Sequence, residues 1–189
     1  MNIDEILKII KSKDFYFESF VDKFRYEYLS DQEFDSSLNQ EFAILETYAY
    51  FKRQNLTIYY NDRFFNQLST EEQAFVIAHE ILHYYIYIYI PKRKLFYYDY
   101  YLINFVLDAQ INQALVRLRF TPTKGAILIN DALDFEALEL YDLLYPYRQY
   151  TRAYNNREKY DWTSNKSLSE ILNIPIKKDS NSSFSGIKY

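Results

Sequence analysis

The stretch His79-Glu80-Ile81-Leu82-His83 contains both histidines of this 189-residue chain. Residues four apart on an α-helix return to nearly the same face, so both imidazoles can reach one metal ion while Glu80 lies beside it. This is the geometry of a zinc site with an adjacent general base. The alternative is that both histidines are hydrogen-bonded within a core helix and that Glu80 is an ordinary helix-forming residue.

The residues around the motif predict a long buried helix. Apolar side chains precede, separate and follow the two histidines, and Glu80 is the only charged residue between positions 74 and 90. Ser69 and Glu72 have the spacing of a capping box, so the helix should begin near residue 70. Tyrosine and isoleucine alternate over residues 85–90, a period that is typical of a strand. This segment continues the helix, however, and a proline follows it at position 91, so we expect the helix to end at about residue 89.

A third metal ligand must be sought among the carboxylates. Catalytic zinc usually takes three protein ligands and a water, and the chain has no cysteine and no further histidine. Asp108 is the leading candidate because it lies inside an apolar helical stretch, and Asn104 and Asn112 lie one turn to either side as hydrogen-bonding supports. Asp99 is the alternative ligand. A solvent-facing polar stripe or a buried hydrogen-bonded network would explain Asp108 without a metal.

The remaining sequence predicts an α+β fold that is mainly helical and has a small sheet. Helical spacing of apolar residues is seen over 3–11, 15–24, 38–53, 95–118 and 135–144, and Ser167 with Glu170 caps one further turn. Leu56–Tyr60 is rich in β-branched and aromatic residues and precedes the turn pair Asn61-Asp62, so it predicts a strand. Residues 126–129 predict a short strand or extended piece.

Composition and charge narrow the functional classes. The length suits one domain with a substantial core, and the net charge of −4 argues against a protein that mainly binds nucleic acid. The basic run at 91–94 is interpreted as a solvated loop. The first six residues carry acids where a signal peptide would carry bases, and no apolar run reaches the roughly 18 residues of a membrane span. We therefore expect a soluble, cytoplasmic protein with no membrane or nucleic-acid partner, and the oligomeric state stays open.

Two separated motifs give the chain a family resemblance. His79-Glu80-x-x-His83, followed by Asn104-x-Val106-x-Asp108-x-x-Ile111-Asn112, resembles the metallopeptidase domain often found upstream of a von Willebrand factor A-like domain in bacterial and phage proteins. Pro122-x-x-Gly125-Ala126 and Leu140–Leu144 are similar to later landmarks of that family. The resemblance covers residues 35–145 and implies a zincin-like fold in which the helix of Asp108 completes the site.

The resemblance also suggests how the chain is divided. We expect a zincin-like metallopeptidase domain over residues 1–145, a C-terminal extension over 146–176 and a flexible tail over 177–189. No von Willebrand factor A-like domain is expected in this sequence.

Taken together, these residues predict a zinc-dependent peptidase acting on a peptide or protein substrate. His79, His83 and Asp108 would hold Zn²⁺, and Glu80 would act as general base. Zincin-like folds present a strand edge beside the active-site helix, so we expect the substrate to add along Leu56–Tyr60, with an apolar or aromatic preference beside the cleaved bond. A tyrosine could hydrogen-bond the oxyanion, but nothing in the sequence distinguishes one of the 22.

A second hypothesis is a binding or structural protein of the same fold, with a structural or inactive metal site. The two hypotheses differ at Glu80, which only the peptidase requires for its activity.

Overall fold

The structure is a computed structural model and describes residues 2–30, 49–52, 56–60, 65–89, 98–151 and 159–176. The helices are α1 (Ile3–Lys13), α2 (Phe15–Phe20), α3 (Thr70–Tyr89), α4 (Tyr100–Arg117), α5 (Ala137–Leu144) and α6 (Leu168–Leu172). The strands are β1 (Arg25–Tyr28), β2 (Ala49–Lys52) and β3 (Thr57–Tyr60), and short 3₁₀ helices span Val21–Lys23, Ala132–Asp134 and Tyr145–Tyr150. The prediction of a mainly helical α+β protein is confirmed. None of the described helices is long and apolar enough to cross a membrane.

The chain forms two compact units. The first contains Met1–Pro91 and Leu115–Thr123, and the second contains Lys92–Ala114 and Lys124–Tyr189.

The first unit contains the sheet, whose strand order is β1-β3-β2. The strand predicted at Leu56–Tyr60 is confirmed as β3, which begins at Thr57 because Leu56 has a positive φ of 52°. β3 pairs in parallel with β1 and antiparallel with β2. The prediction that a substrate adds along this strand is therefore wrong, because both edges of β3 are already occupied by protein strands.

Two strands were not predicted. The helix predicted over 15–24 ends in a 3₁₀ turn at Lys23, and β1 follows it directly in the sequence. The helix predicted over 38–53 is wrong at its end, because residues 49–52 form β2. Pairing with β3 overrides the local helical spacing there. Residues 38–48, the turn pair Asn61-Asp62, the basic run at 91–94 and the tail over 177–189 lie outside the described residues.

The N-terminal helices support α3. Ile6 and Ile10 are fully buried on α1, which packs against α3. The ammonium group of Lys13 lies 3.2 Å from the Glu71 carboxylate in the first turn of α3 and donates to the carbonyl of Arg119 at 3.1 Å. These contacts join the start of the chain to the helix that carries the histidine motif.

α3 begins where the capping box predicts. The Ser69 amide donates to the Glu72 carboxylate at 2.8 Å, and the Glu72 amide donates to the Ser69 hydroxyl at 3.3 Å. Gln73 reaches back to the carbonyl of Phe65 at 2.9 Å. Ala74, Ile77, Ala78 and Ile81 have no exposed surface. The predicted bounds of this helix, about 70 to 89, are confirmed.

The second unit is built on α4, which starts later than predicted. One oxygen of the Asp99 carboxylate accepts from the amides of Tyr101 and Leu102 at 3.0 and 3.2 Å. Asp99 thus caps the helix, which begins at Tyr100 rather than at residue 95. Residues 95–97 lie outside the described residues.

α5 likewise begins at Ala137 instead of Phe135, because Glu136 caps it and forms a capping box with Glu139. The helical turn predicted from Ser167 and Glu170 is confirmed as α6.

The C-terminal segment shares the core of the second unit. The predicted extended piece contains Ile129, which forms a single parallel bridge with Lys166. The Trp162 indole packs edge-on against Phe105 with ring centroids 5.1 Å apart. The amide of Leu168 donates to the buried Asp131 carboxylate at 2.8 Å. Residues 159–172 are therefore packed against the helices and loops that precede them in this unit.

Candidate metal centre

The histidine pair lies on one side of α3. The Nε2 atoms of His79 and His83 are 2.8 Å apart, and the ring centroids are 4.5 Å apart with the ring planes at 74°. His83 is buried and His79 is half-buried. Without a metal, either Nε2 can be the hydrogen-bond donor in this contact. If both imidazoles are neutral and carry their proton on Nδ1, both Nε2 lone pairs can bind one ion. The four-residue spacing thus brings the two nitrogens to a common point, as the motif predicts.

Glu80 follows His79 directly and is half-buried on α3. One residue further along a helix is a rotation of about 100°, so its carboxylate points to one side of the histidine pair. This is the placement expected of a group that acts beside a metal ion without binding it.

Asp108 is half-buried on α4, between the fully buried side chains of Leu107 and Ala109. The Asn104 amide donates to an oxygen of the Asp108 carboxylate at 3.3 Å. This hydrogen bond holds one carboxylate oxygen and leaves further lone pairs for an ion. The supporting role of Asn104 at a metal stays a prediction.

His79, His83 and Asp108 form a group that could hold a metal ion. Each residue offers one ligand atom, and the three atoms lie within 4.8 Å of one another. Two imidazole nitrogens and a carboxylate oxygen are ligands that zinc commonly takes at catalytic sites. The donor set therefore fits the metal that the motif predicts.

Two other predicted residues have structural partners. The buried Asn112 donates from its amide to the carbonyl of Ile127 at 3.0 Å, which fastens the extended piece to α4. Its predicted supporting role at the metal stays a prediction. Asp99, the alternative ligand, uses its carboxylate to cap α4. An aspartate directly before an apolar helical stretch is a capping signal that was available in the sequence.

Tyr100 was not singled out by the sequence. Partial burial raises the pKa of its hydroxyl above the ordinary value, and the negative charge of Asp108, followed by that of Tyr101, raises it further. The hydroxyl is therefore protonated at neutral pH and lies within the field of Asp108.

Comparison with known families shows that the chain matches a family model. A family model described as "Putative metallopeptidase domain" matches residues 47–168, a range that contains α3, α4 and all three candidate ligands. The resemblance predicted from the two motifs is thereby confirmed. No curated protein and no solved structure matches the chain significantly.

Proposed function

The chain belongs to this family of putative metallopeptidase domains, and from that membership we propose that it is a zinc-dependent peptidase with a zincin-like fold. The family implies a metal ion and a peptide or protein substrate. The observation that carries the proposal is the close approach of the ligand atoms of His79, His83 and Asp108. These residues would hold Zn²⁺, and Asn104 would orient the Asp108 carboxylate through its hydrogen bond.

Zinc supplies an acidified water and an electrophile that polarises the substrate carbonyl when it is bound at such a site. The chain's own contribution to the chemistry is assigned to Glu80. Its carboxylate accepts a proton from the attacking water and later returns that proton to the nitrogen of the departing amine. The half-buried position of Glu80, next to His79, supports this role.

The substrate is assigned to a different strand from the one predicted. Within the described part of the sheet the outer strands are β1 and β2, and β2 packs against α3, the helix of the histidine motif. An extended peptide paired with the outer edge of β2 would gain main-chain hydrogen bonds without strong demands on its sequence. The preference for an apolar or aromatic residue beside the cleaved bond is kept as part of the proposal.

Glu80→Gln is the variant that tests the proposed function. The amide retains the size of the side chain but cannot take up a proton, so we expect normal zinc content and a loss of turnover of about 10²- to 10⁴-fold. Zinc is measured by elemental analysis of the purified protein, and turnover by mass spectrometry of a mixed peptide library. Glu18→Gln, at an exposed position of α2, is the matched control and should retain both properties.

Three results separate the candidate functions. Zinc with turnover that Glu80→Gln abolishes supports the peptidase. Zinc in a wild-type protein that cleaves no peptide favours the second hypothesis, a binding or structural protein with an inactive metal site. Protein without zinc, in which His79→Ala and His83→Ala change nothing, would remove the metal centre itself.

A further inference from the structure

Three tyrosines of the second unit form a corner of aromatic rings. The rings of Tyr150 and Tyr160 have centroids 5.3 Å apart and planes at 80°. The rings of Tyr147 and Tyr160 have centroids 5.9 Å apart and planes at 88°. All three side chains are half-buried, so the protein supports the rings and part of their surface still faces solvent. We call these three residues the tyrosine corner.

The tyrosine corner already holds a cation of its own chain. The Lys159 ammonium lies 4.1 Å from the centroid of the Tyr150 ring and 5.3 Å from that of the Tyr160 ring. A cation within about 6 Å of a ring centroid is attracted by the negative face of the ring. The ammonium also donates to the Tyr150 hydroxyl at 2.9 Å, and this hydrogen bond is the main reason why the pKa of Lys159 is raised. The corner therefore favours a charged ammonium group.

The core of the unit holds the rings in place. Trp162 is 3% exposed, and its ring lies 5.3 Å from the Tyr160 ring. Its indole N–H donates to the carbonyl of Tyr150 at 3.2 Å. The buried Thr151 hydroxyl donates to the carbonyl of Arg148 at 2.9 Å. Because the rings are placed before a ligand arrives, binding has little ordering of the protein to oppose it.

The surface beside the tyrosine corner also suits a cationic partner. α5 leads directly into the 3₁₀ helix over 145–150, and its charged residues are Glu139 and Asp142, with no base. On that 3₁₀ helix the guanidinium of Arg148 lies 4.4 Å from the centroid of the Tyr145 ring, a second cation on a tyrosine face. The chain as a whole has a net charge of −4. Its field therefore attracts a positively charged segment.

We propose that the tyrosine corner is a binding site for a lysine side chain of a partner protein, and that Lys159 occupies the site when the partner is absent. Lys159 is exposed, so its ammonium can move into water when another ammonium takes its place. A primary ammonium can lie over two ring faces and donate to the Tyr150 hydroxyl at once, whereas a trimethylated ammonium has no N–H to donate. This inference does not depend on the proposed peptidase function.

n-Butylammonium, which reproduces the end of a lysine side chain, is the probe that tests this site. It is titrated into the full chain of wild type and of Lys159→Ala, and the tyrosine ring signals are followed by ¹H–¹³C NMR. We expect saturable shifts of the Tyr150 and Tyr160 signals in Lys159→Ala. The wild type should need about fivefold more probe, because the probe must displace Lys159 from contacts of this strength.

Matched variants and probes separate the site from a general effect of charge. Lys166→Ala removes another exposed lysine of the same unit and should behave as the wild type does. In the Lys159→Ala background, Tyr160→Phe retains a ring face and should retain the affinity, whereas Tyr160→Leu should weaken it by about fivefold. n-Butanol, which has the same chain without the charge, should give no saturable shift.

A peptide with one lysine extends the test to a partner chain. Isothermal titration calorimetry should show that it binds Lys159→Ala more tightly than the same peptide with norleucine or trimethyllysine in place of lysine. Equal n-butylammonium affinity of Lys159→Ala and wild type would overturn the inference, and this comparison leaves the tyrosine corner itself unchanged. Binding of n-butanol as strong as that of n-butylammonium, or tighter binding of the trimethyllysine peptide, would overturn it as well.

Discussion

Asp108 is a carboxylate set among buried residues of α4, and its neighbours at four-residue steps are polar. If it is the third ligand, Asp108→Ala removes a charged donor, and we expect zinc content to fall to a small fraction of the wild-type value while helicity is retained. Asp99→Ala should retain zinc. Instead, Asp99→Ala should lower the free energy of unfolding by about 1 kcal/mol, because it removes the cap of α4.

Elemental analysis and thermal unfolding of both variants give the two readouts. Full zinc occupancy in Asp108→Ala would move the third ligand elsewhere. Zinc loss in Asp99→Ala alone would assign it to the alternative residue.

Residue chemistry was the part of the site most open to prediction. The two histidines come together because a helix converts their spacing directly into proximity, and Asp108 was identified as a charge in an apolar stretch. The role of Glu80 stays a prediction. Asn112 shows the limit of this reasoning. Its four-residue step from Asp108 is real, but its amide bonds the carbonyl of Ile127, and no local pattern specifies that distant partner.

At the scale of elements, β3 has protein strands on both sides. Successive amides of such a strand point alternately to its two neighbours, so a proline within it removes a ladder hydrogen bond whichever side it faces. We expect Tyr59→Pro to lower the free energy of unfolding by about 1 kcal/mol more than Tyr59→Ala, since a carbonyl acceptor on a neighbouring strand loses its donor.

Urea unfolding followed by circular dichroism compares the two variants at the same position. Equal stability of Tyr59→Pro and Tyr59→Ala would mean that the amide of Tyr59 does not contribute to the ladder.

The helices were easier to predict than the strands for a physical reason. Capping boxes at Ser69 and Ser167 are local patterns, and they gave the starts of α3 and α6 correctly. β1 and β2 have four residues each, too few to establish a period, and they form because β3 offers both of its edges. Pairing between strands that are distant in the sequence is a tertiary property, which local periodicity does not contain. Periodicity alone therefore predicted a helix at residues 49–52.

At the scale of the whole molecule, the family match and the packing both reach beyond residue 145, where the predicted catalytic domain ends. The match continues to residue 168, and the segment it includes contributes Trp162 and Leu168 to the core of the second unit. Of the C-terminal extension predicted over 146–176, residues 162–172 therefore contribute to that core.

Trp162 is the residue whose removal tests this contribution. It is 3% exposed, it packs on Phe105, and its indole N–H donates to the carbonyl of Tyr150 at 3.2 Å. Trp162→Ala leaves a large cavity and an acceptor without its donor, so we expect a loss of about 3–5 kcal/mol. Thr163→Ala, at the next and exposed position, should stay within about 0.5 kcal/mol of wild type. If thermal unfolding finds Trp162→Ala as stable as Thr163→Ala, the segment after residue 158 is an appendage. A large loss confined to Trp162→Ala makes it part of the domain that carries Asp108, so truncation at residue 145 would be expected to impair the metal centre.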